Sequence, residues 1–289
     1  MIGSRGIGYA CLVATAIGWG LNWPWMKILL QEWPPLFSRG LAGTIAAALL
    51  ALVAVKRGER LAIARPTLPS LLFGSFTNVF AWMGFSTVAM QWLTVSEASL
   101  VVYTMPLWTT LLAWLLVGAK PTARELLGLG LGFLGIGVLL GGQGLAVGTD
   151  KLLGYGLAVG AAVLFALGSV LRPRGDVIPP FTLVAWQVGV ACSVMMLIGI
   201  VFEGPDLTQL SFAGGLAMGY MTVIAMGLCY LTWFETRRRL PASTAATGML
   251  LVPIVGIVAA AAMLGEHLGP RETLAMGLTL GGVALAVAR

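Results

Sequence analysis

Residues 93–140 read LTVSEASLVVYTMPLWTTLLAWLLVGAKPTARELLGLGLGFLGIGVLL, and residues 240–287, which begin 147 positions later, repeat their pattern without a gap. Twelve of the 48 positions are identical, among them the pairs Ser96/Ser243, Pro106/Pro253, Gly118/Gly265, Arg124/Arg271 and Glu125/Glu272. Composition alone would give roughly a tenth of the positions. An internal duplication is the better explanation, and we expect residues 1–145 and 146–289 to be two copies of one unit.

The composition is that of a chain embedded in lipid. Hydrophobic residues make up 58% and charged residues 10% of the sequence, and the mean hydropathy is +0.94. A soluble globule of 30.2 kDa would need more polar residues to cover its surface. The net charge of +6 does not indicate a nucleic-acid partner, because the Lys and Arg residues lie between apolar runs. We predict an all-α integral membrane protein whose basic residues meet anionic lipid headgroups.

Ten stretches are long and apolar enough for transmembrane helices, which need about 20 residues. They cover residues 6–30, 35–56, 67–91, 95–117, 122–141, 152–172, 180–202, 209–235, 241–264 and 270–288. Each half contains five, an odd number, so the second half must enter the membrane from the side opposite to the first. The sequence therefore predicts two inverted five-helix repeats, an architecture typical of alternating-access transporters.

The positive charges predict the orientation. Of the 17 Lys and Arg residues, the larger share falls on one side of the predicted membrane: Arg5, Lys56, Arg57, Arg60, Arg65, Lys120, Arg124, Arg172, Arg174, Arg237, Arg238, Arg239 and Arg289. The opposite side has only Lys151 and Arg271. We expect both termini in the cytoplasm.

The first span carries polar and aromatic residues on one face. Trp19, Asn22, Trp23 and Met26 follow the spacing i, i+3, i+4, i+7. An Asn near the middle of a membrane needs a partner in the protein or in a water-filled cavity. An interhelical hydrogen bond would suffice, but a place in the lining of a central cavity is our preferred interpretation.

Other spans add similar residues, which combine ring faces with neutral donors and acceptors. Our further candidates for the lining are Asn78, Trp82, Ser99, Tyr103, Ser169 and Tyr230. Such a pocket suits a small amphipathic solute. Lys27 and Arg39 are expected at the outer boundary beside the Glu32 turn, where snorkelling or pairing with Glu32 competes with a role in an outer gate or in a vestibule that attracts carboxylates.

Three prolines lie inside predicted spans. Pro24 is in the first span, and Pro106 and Pro253 occupy equivalent places in the two halves. A proline in a helix removes one backbone hydrogen bond and favours a bend. Paired interruptions in corresponding helices indicate the hinges or binding site of a transporter, although ordinary kinks among packed helices remain the alternative. We assign these prolines as hinges.

The residue combinations that catalysis, metal binding or proton coupling would need are missing from the middle of the predicted spans. No Asp or Glu lies deep in a span, and the single His, His267, falls in a turn. The sequence therefore shows no catalytic constellation, no metal site and no cofactor motif, and we expect no enzyme. A proton-coupled exporter usually exposes a carboxylate or histidine to its cavity, so facilitated movement is at least as well supported as proton antiport.

These motifs together resemble one known family. They are Trp19-Gly20-Leu21-Asn22, an Arg early in the second span, Ser96 to Leu100 followed by Pro106, and GEHLGPRE at 265–272, in ten spans of two halves. The chain is identified by them as a member of the drug/metabolite transporter superfamily, in its EamA-type branch. Within that branch its tryptophan-rich first span resembles the bacterial YddG-type exporters of aromatic amino acids.

The resemblance implies a ten-helix basket around a central cavity lined by spans 1, 3, 4, 6, 8 and 9, with export from the bacterial cytoplasm through the inner membrane. One position departs from the family pattern. The acidic residue that commonly follows the glycine after span 4 is Ala119 here, whereas the second half keeps it as Glu266. We expect Glu266 to be structural and to cap the turn into span 10.

The sequence thus predicts an exporter of amino acids, aromatic or other apolar ones first, that works by alternating access. The alternatives are an exporter of another small metabolite or drug and, from a different class, a membrane-embedded enzyme. A carrier of phosphorylated metabolites would need two or more cations at mid-membrane depth. The expected partners are the amino acid substrate and the lipid bilayer, and we expect a monomer.

Overall fold

The computed structural model describes residues 4–141, 149–171 and 178–287, and within those ranges it contains helices and connections but no strand. The helices are α1 (Ser4–Leu29), α2 (Pro35–Lys56), α3 (Leu68–Gly74), π1 (Ser75–Phe85), α4 (Ser86–Ala89), α5 (Val95–Val102), α6 (Met105–Val117), α7 (Ala123–Gly141), α8 (Thr149–Val170), α9 (Pro180–Phe202), α10 (Phe212–Gly219), π2 (Tyr220–Leu228), α11 (Cys229–Arg239), α12 (Ala242–Gly248), α13 (Leu251–Leu264) and α14 (Pro270–Val287). Two short 3₁₀ turns, Arg65–Thr67 and Leu207–Gln209, precede α3 and α10.

These helices follow the predicted spans. Span 3 consists of α3, π1 and α4, span 4 of α5 and α6, span 8 of α10, π2 and α11, and span 9 of α12 and α13. Seven helical stretches are long and apolar enough to cross a membrane: Pro35–Lys56, Arg65–Ala89, Val95–Val117, Lys151–Val170, Pro180–Phe202, Phe212–Arg239 and Thr244–Leu264. The all-helical prediction is confirmed for the described residues. The other three spans form α1, α7 and α14, and their passage through a membrane stays a prediction.

Local signals explain why span 4 begins and ends where it does. Thr94 and Glu97 form a capping box: Thr94 Oγ1 accepts from the backbone N–H of Glu97 at 3.1 Å, and Glu97 Oε2 accepts from the backbone N–H of Thr94 at 3.0 Å. At the other end, Gly118 has φ of 74° and stops the helix in the left-handed conformation that glycine adopts most easily. Gly265, its counterpart after α13, has φ of 67°.

Spans 4 and 9 are broken at equivalent places near their middle. A turn separates Val102 from Met105 in span 4, and another separates Gly248 from Leu251 in span 9. Pro106 is the second residue of α6 and Pro253 the third residue of α13. A proline has no N–H to donate, so a helix that arrives from before the turn cannot continue its hydrogen bonding through it. The predicted interruption at Pro24 takes a milder form, because α1 continues through it from Ser4 to Leu29.

Spans 3 and 8 contain π-helical stretches that no pattern in the sequence predicts. π1 extends over eleven residues and π2 over nine. A π-helix bonds each N–H five residues back, so it widens the turn and changes the direction of side chains after it, and it often occurs at functional sites. One π2 carbonyl, that of Ala225, accepts a hydrogen bond of 2.7 Å from the indole Nε1 of Trp19 in α1.

Two groups of three spans form the centre of the bundle. Group A consists of spans 1, 8 and 9, where α1 packs against α11 and α13. Group B consists of spans 3, 4 and 6, where α8 packs against π1, α5 and α6. Each group thus combines spans from both sequence halves. The remaining spans form two flanking pairs, α2 with α9 and α7 with α14.

The pair of α2 and α9 is held by close backbone contact and by reciprocal caps. A Cβ added at Gly40 would lie 2.3 Å from the backbone N of Met196, so only glycine permits this approach. Glu203, just after α9, accepts from the N–H groups of Leu36 at 3.1 Å and Phe37 at 2.8 Å at the start of α2. Glu59, just after α2, accepts from Thr182 N–H at 2.8 Å at the start of α9. The start of each helix is therefore capped by a glutamate that comes just after the end of the other helix.

Candidate functional site

A cavity of about 280 Å³ lies between group A and group B. This volume is close to the lower end of the range of about 300–1,000 Å³ that is usual for small-molecule sites. Seven aromatic rings, five methionines, four polar residues and one alanine form its lining: Trp19, Trp23, Trp82, Tyr103, Phe165, Tyr230, Trp233, Met26, Met83, Met105, Met226, Met249, Asn22, Arg39, Asn78, Ser86 and Ala225. The space therefore suits one small solute with a large apolar part and a few polar groups.

Seven of the nine predicted lining residues contribute to this cavity: Trp19, Asn22, Trp23, Asn78, Trp82, Tyr103 and Tyr230. Ser99 and Ser169 do not. Ser99 is fully buried in α5, where its hydroxyl donates to the Ser96 carbonyl, and Ser169 is exposed at the far end of α8, where its hydroxyl donates to the Phe165 carbonyl at 2.9 Å. Both hydroxyls are satisfied within their own helix, as is common for serine in membrane helices.

The aromatic rings form a cluster in each group. In group A, Trp19 lies 5.5 Å from Tyr230 in an edge-to-face arrangement and 6.0 Å from Trp233. In group B, the Trp82 ring lies 5.8 Å from Tyr103 and 5.0 Å from Phe165. These distances are in the favourable range for aromatic pairs. The cavity thus has an aromatic wall on each side.

The two walls meet at one contact. Trp23 of α1 and Tyr103, which follows α5, lie 6.4 Å apart between ring centroids, and so connect group A to group B. We call the end of the bundle at which α1 ends and α5 begins the Glu266 end, and the opposite end, where α11 terminates, the Arg239 end.

Most of the methionines in the lining were not predicted from the sequence, which placed only Met26 on the polar and aromatic face of the first span. Met26 and Met249 come from group A, and Met83 and Met105 from group B. An unbranched thioether side chain adapts to irregular shapes and makes favourable contacts with rings. For the other methionines the signal was a high methionine content, 13 in the chain, which does not show which of them line a cavity.

Arg39 corrects an expectation. It does not pair with Glu32 but is 7% exposed and lines the cavity. Its Nε and Nη1 atoms are buried and have no hydrogen-bond partner within the described part of the chain. Glu32 instead accepts from the Ser211 N–H at 2.8 Å, at the start of α10. The cavity therefore contains a buried guanidinium without a counter-ion from the described residues.

Lys27 links the two groups at the Glu266 end. Its ammonium donates to the carbonyls of Met90 and Leu93, the latter at 2.8 Å, just after span 3. These carbonyls lie where a helix ends, so the cation satisfies acceptors that have no partner in the helix itself. Lys27 thus joins α1 of group A to span 3 of group B, and its charge does not face the cavity.

Glu266 makes a second link between the groups, and this too differs from expectation. Its carboxylate does not cap span 10 but the start of α5, where Oε1 accepts from Val95 N–H at 2.8 Å and Oε2 from Ser96 N–H at 3.3 Å. Because Glu266 follows span 9, the contact joins group A to group B. Together with Lys27, it ties the two groups at the Glu266 end.

The Arg239 end has no equivalent of this carboxylate. The position 147 residues before Glu266 is Ala119, and the start of α12 has Pro241 as its N-cap with no side-chain hydrogen bond. Of the described hydrogen bonds at this end, that from Arg239 to Ser4 at 3.2 Å joins two members of group A, and those from Thr182 to Glu59 join the flanking pair of α2 and α9. The groups are thus tied at one end of the cavity only, within the residues the structure describes.

No metal site is present among the described residues, since no three His, Cys, Asp or Glu side chains cluster. The cysteines Cys11, Cys192 and Cys229 are free thiols. The cavity lining contains no carboxylate and no histidine. Arg39 is its only permanently charged group.

A solved crystal structure has the same fold over almost the whole chain. Its TM-score is 0.67 with 21% sequence identity, and the match covers 98% of this chain and 96% of that one. Among curated proteins, the uncharacterized transporter YvbV of Bacillus subtilis is 29% identical over 259 residues, which cover 89% of this chain and 84% of that protein. The uncharacterized inner membrane transporter YedA of Escherichia coli is 29% identical over 280 residues, with 96% and 89% covered.

Two relatives are named for what they export. A probable amino-acid metabolite efflux pump of Salmonella typhimurium is 29% identical over 310 residues, which cover 99% of this chain and 93% of that protein. The model of the EamA-like transporter family matches the chain twice, at residues 6–141 and 152–288. These two matches cover nearly all of the described helices, the cavity included, and the chain belongs to the EamA-like transporter family.

Proposed function

We propose that this membrane transporter exports amino acids, those with aromatic or other apolar side chains first, from the bacterial cytoplasm. The observation that carries the proposal is the cavity between the two groups, with an aromatic wall on each side and few polar groups. Family membership supports a transporter in the inner membrane, and the name of the Salmonella relative supports amino acids as the class of cargo.

In this proposal the rings and methionines bind the side chain of the cargo. Trp82, Tyr103 and Trp19 would contact an aromatic ring edge to face, at about 0.5–1.5 kcal/mol for each pair beyond the gain from burial. Asn22 and Asn78 would hydrogen-bond its polar groups. Ser99 and Ser169, which lie outside the lining, have no part in the proposed site.

Export would proceed by alternating access between the two groups of spans. The Glu266 end is tied by Lys27 and Glu266, so the cavity would open first at the Arg239 end. Pro106 and Pro253 lie beside the breaks of spans 4 and 9 and would serve as hinges, with Pro24 allowing α1 to bend. We propose that group A and group B are the moving bodies, because each packs across the two sequence halves, 1–145 and 146–289, rather than within one.

The proposed direction depends on the charges at the ends. Arg237, Arg238 and Arg239 terminate α11 at the Arg239 end, and Lys56 terminates α2 at the same end. Excess Lys and Arg mark the cytoplasmic side of a membrane protein. The Arg239 end and both termini would thus lie on the cytoplasmic side, and the cargo would enter the cavity from there. Inverted repeats and ten crossings are part of the same proposal.

The lining favours facilitated transport. No carboxylate or histidine that could carry a proton contacts the cavity in the part of the chain described. A proton-coupled exporter usually places such a group in its substrate pathway. We therefore propose that the substrate gradient alone moves the cargo.

Uptake into liposomes tests the proposal. The purified protein is reconstituted, and entry of labelled tryptophan, phenylalanine, alanine and lysine is measured with and without an imposed pH gradient. We expect tryptophan and phenylalanine to enter without the gradient, and faster than alanine or lysine. Uptake only with the gradient would contradict facilitated transport, and no uptake of any of the four would contradict amino acids as cargo.

A further inference from the structure

Among the described residues, Arg39 and Asn22 are the two in the cavity lining that have fully buried polar atoms without a hydrogen-bond partner. Arg39 Nε and Nη1 are donors and Asn22 Oδ1 is an acceptor, and all three atoms are shielded from solvent without a hydrogen bond. The residues themselves are 7% and 8% exposed. Both line the same cavity of about 280 Å³. A cavity of this size can place one small solute against both.

A buried guanidinium without a counter-ion is costly. Desolvation of a charge in a protein interior costs several kcal/mol unless an opposite charge or hydrogen bonds compensate it. Neither compensation comes from the described residues, because no salt bridge involves Arg39 and the titratable groups facing it are the Cys192 thiol and the Tyr230 phenol. An anion entering the cavity would supply what the protein does not.

The geometry of the side chain favours a carboxylate as this anion. A guanidinium presents its N–H donors in a planar fork that matches the two oxygens of a carboxylate or phosphate. A phosphate with two charges would need further cations, and the other nearby one, Lys27, is turned toward the carbonyls of Met90 and Leu93. With one cation in the lining, a group with a single negative charge fits best.

Asn22 requires a hydrogen-bond donor on the solute, whereas Arg39 requires an acceptor. Its free Oδ1 accepts a hydrogen bond and so calls for an N–H or ammonium on the same solute. The remaining lining is mainly aromatic and thioether, together with Asn78, Ser86 and Ala225. Together the two free groups describe a solute with one carboxylate, one hydrogen-bond donor and an apolar part.

We infer that Arg39 is the carboxylate-binding residue of the cavity and that Asn22 accepts a hydrogen bond from the amine of the same solute. This inference rests on the proposed function and deepens it, because it defines the cargo by its charged groups. Apolar amines without a carboxylate, and neutral apolar compounds, are then poor substrates although their rings fit the walls.

Binding to the purified full-length protein in nanodiscs tests the inference without requiring transport. Calorimetry compares three probes that share an indole ring: tryptophan with both groups, indole-3-propionate with the carboxylate alone, and tryptamine with the ammonium alone. For the wild type we expect tryptophan to bind tightest and indole-3-propionate at least about tenfold tighter than tryptamine, since hydrogen bonds to charged groups contribute about 1.5–3 kcal/mol.

Two variants separate the contributions. Arg39→Gln should weaken the binding of tryptophan and indole-3-propionate by at least about tenfold and should not weaken the binding of tryptamine, whose ammonium the guanidinium repels. Asn22→Leu should weaken tryptophan and tryptamine more than indole-3-propionate. Arg60→Gln is the matched control, because it removes the same charge from an exposed side chain outside the cavity, and it should bind all three probes as the wild type does.

The inference is overturned if Arg39→Gln binds indole-3-propionate as tightly as the wild type, or if the wild type binds tryptamine as well as indole-3-propionate or binds none of the probes. If Arg39→Gln fails to fold, the inference is tested by the order of affinities of the three probes for the wild type. Failure of the proposed function has a different signature, since carboxylate binding that depends on Arg39 together with no uptake of tryptophan into liposomes would contradict only the transport of amino acids.

Discussion

The carboxylate of Glu266 receives the backbone N–H of Val95 on Oε1 at 2.8 Å, across 171 residues of sequence. Glu266 follows α13 of group A, and Val95 begins α5 of group B. A carboxylate at a helix start both accepts free N–H groups and complements the helix dipole. This contact, repeated for Ser96 at 3.3 Å, ties the two groups at the Glu266 end.

Glu266→Gln should loosen the Glu266 end. Hydrogen bonds to a charged group contribute about 1.5–3 kcal/mol, so loss of the charge should raise the open fraction of this end about tenfold. The measurement is the labelling rate of Met26→Cys, a cavity position, by a membrane-impermeant thiol reagent on intact cells, in a background with Cys11, Cys192 and Cys229 replaced by alanine.

Glu272→Gln is the control for this prediction. Glu272 lies at the same end but pairs with its neighbour Arg271 at 3.0 Å and does not join the two groups. Its labelling rate should equal that of the Met26→Cys parent. An equal rate for Glu266→Gln would show that the contact with Val95 does not hold this end closed.

Ala119→Glu should have the opposite effect at the Arg239 end. Ala119 is equivalent to Glu266 by the 147-residue offset, and the start of α12 lacks a side-chain cap. A carboxylate there should cap α12 as Glu266 caps α5, which would stabilise closure of this end by about 1.5–3 kcal/mol. In inverted vesicles we expect Met26→Cys to be labelled about tenfold more slowly, and Ala119→Gln, without the charge, to stay close to the parent. Faster labelling of Ala119→Glu would contradict the proposed symmetry.

Trp82→Ala should separate aromatic from small substrates. The Trp82 ring packs on Tyr103 and Phe165 at the cavity wall, so its loss should reduce uptake of tryptophan about threefold to tenfold and leave alanine almost unchanged. Trp114→Ala is the matched control, because Trp114 is 41% exposed and lies outside the lining. Equal losses for tryptophan and alanine would argue against stacking of the substrate on this ring.

Much of the cavity is predictable from periodicity. Trp19, Asn22, Trp23 and Met26 share one face of an amphipathic helix by spacing alone, and all four line the cavity. The breaks after Val102 and Gly248 follow from prolines that cannot donate a hydrogen bond. Both results depend on properties of a single helix, which the sequence of that helix contains.

Features that depend on two helices were not predictable. Arg39 lies only one turn inside α2, where a charged residue is expected at the membrane boundary. Its position in the cavity lining depends on how the neighbouring spans pack against α2. Glu266 is adjacent in sequence to span 10 but caps α5, a helix 171 residues earlier. The π-helices cannot be recognised from their composition, because a hydrogen bond to the carbonyl five residues back, instead of four, requires no different residue types.

Gly40→Ala should destabilise the pair of α2 and α9. Its new Cβ would meet the backbone of Met196, which cannot move aside as a flexible side chain can, so we expect a loss of about 1–3 kcal/mol in the free energy of unfolding. Gly130→Ala in α7, where a Cβ meets nothing within 4 Å, should be neutral or slightly stabilising because alanine favours the helix. Thermal unfolding in detergent compares them, and equal stability of both variants would contradict the close approach.

The reciprocal caps of α2 and α9 have a consequence for biosynthesis. Glu203 lies 166 residues after Phe37, so α2 leaves the ribosome long before the carboxylate that completes its start has been made. Until α9 arrives, the first N–H groups of α2 can be satisfied only by water or lipid headgroups. Neither half of the chain can therefore reach its final hydrogen bonding alone, and the order of translation makes the insertion of α9 the step that completes α2.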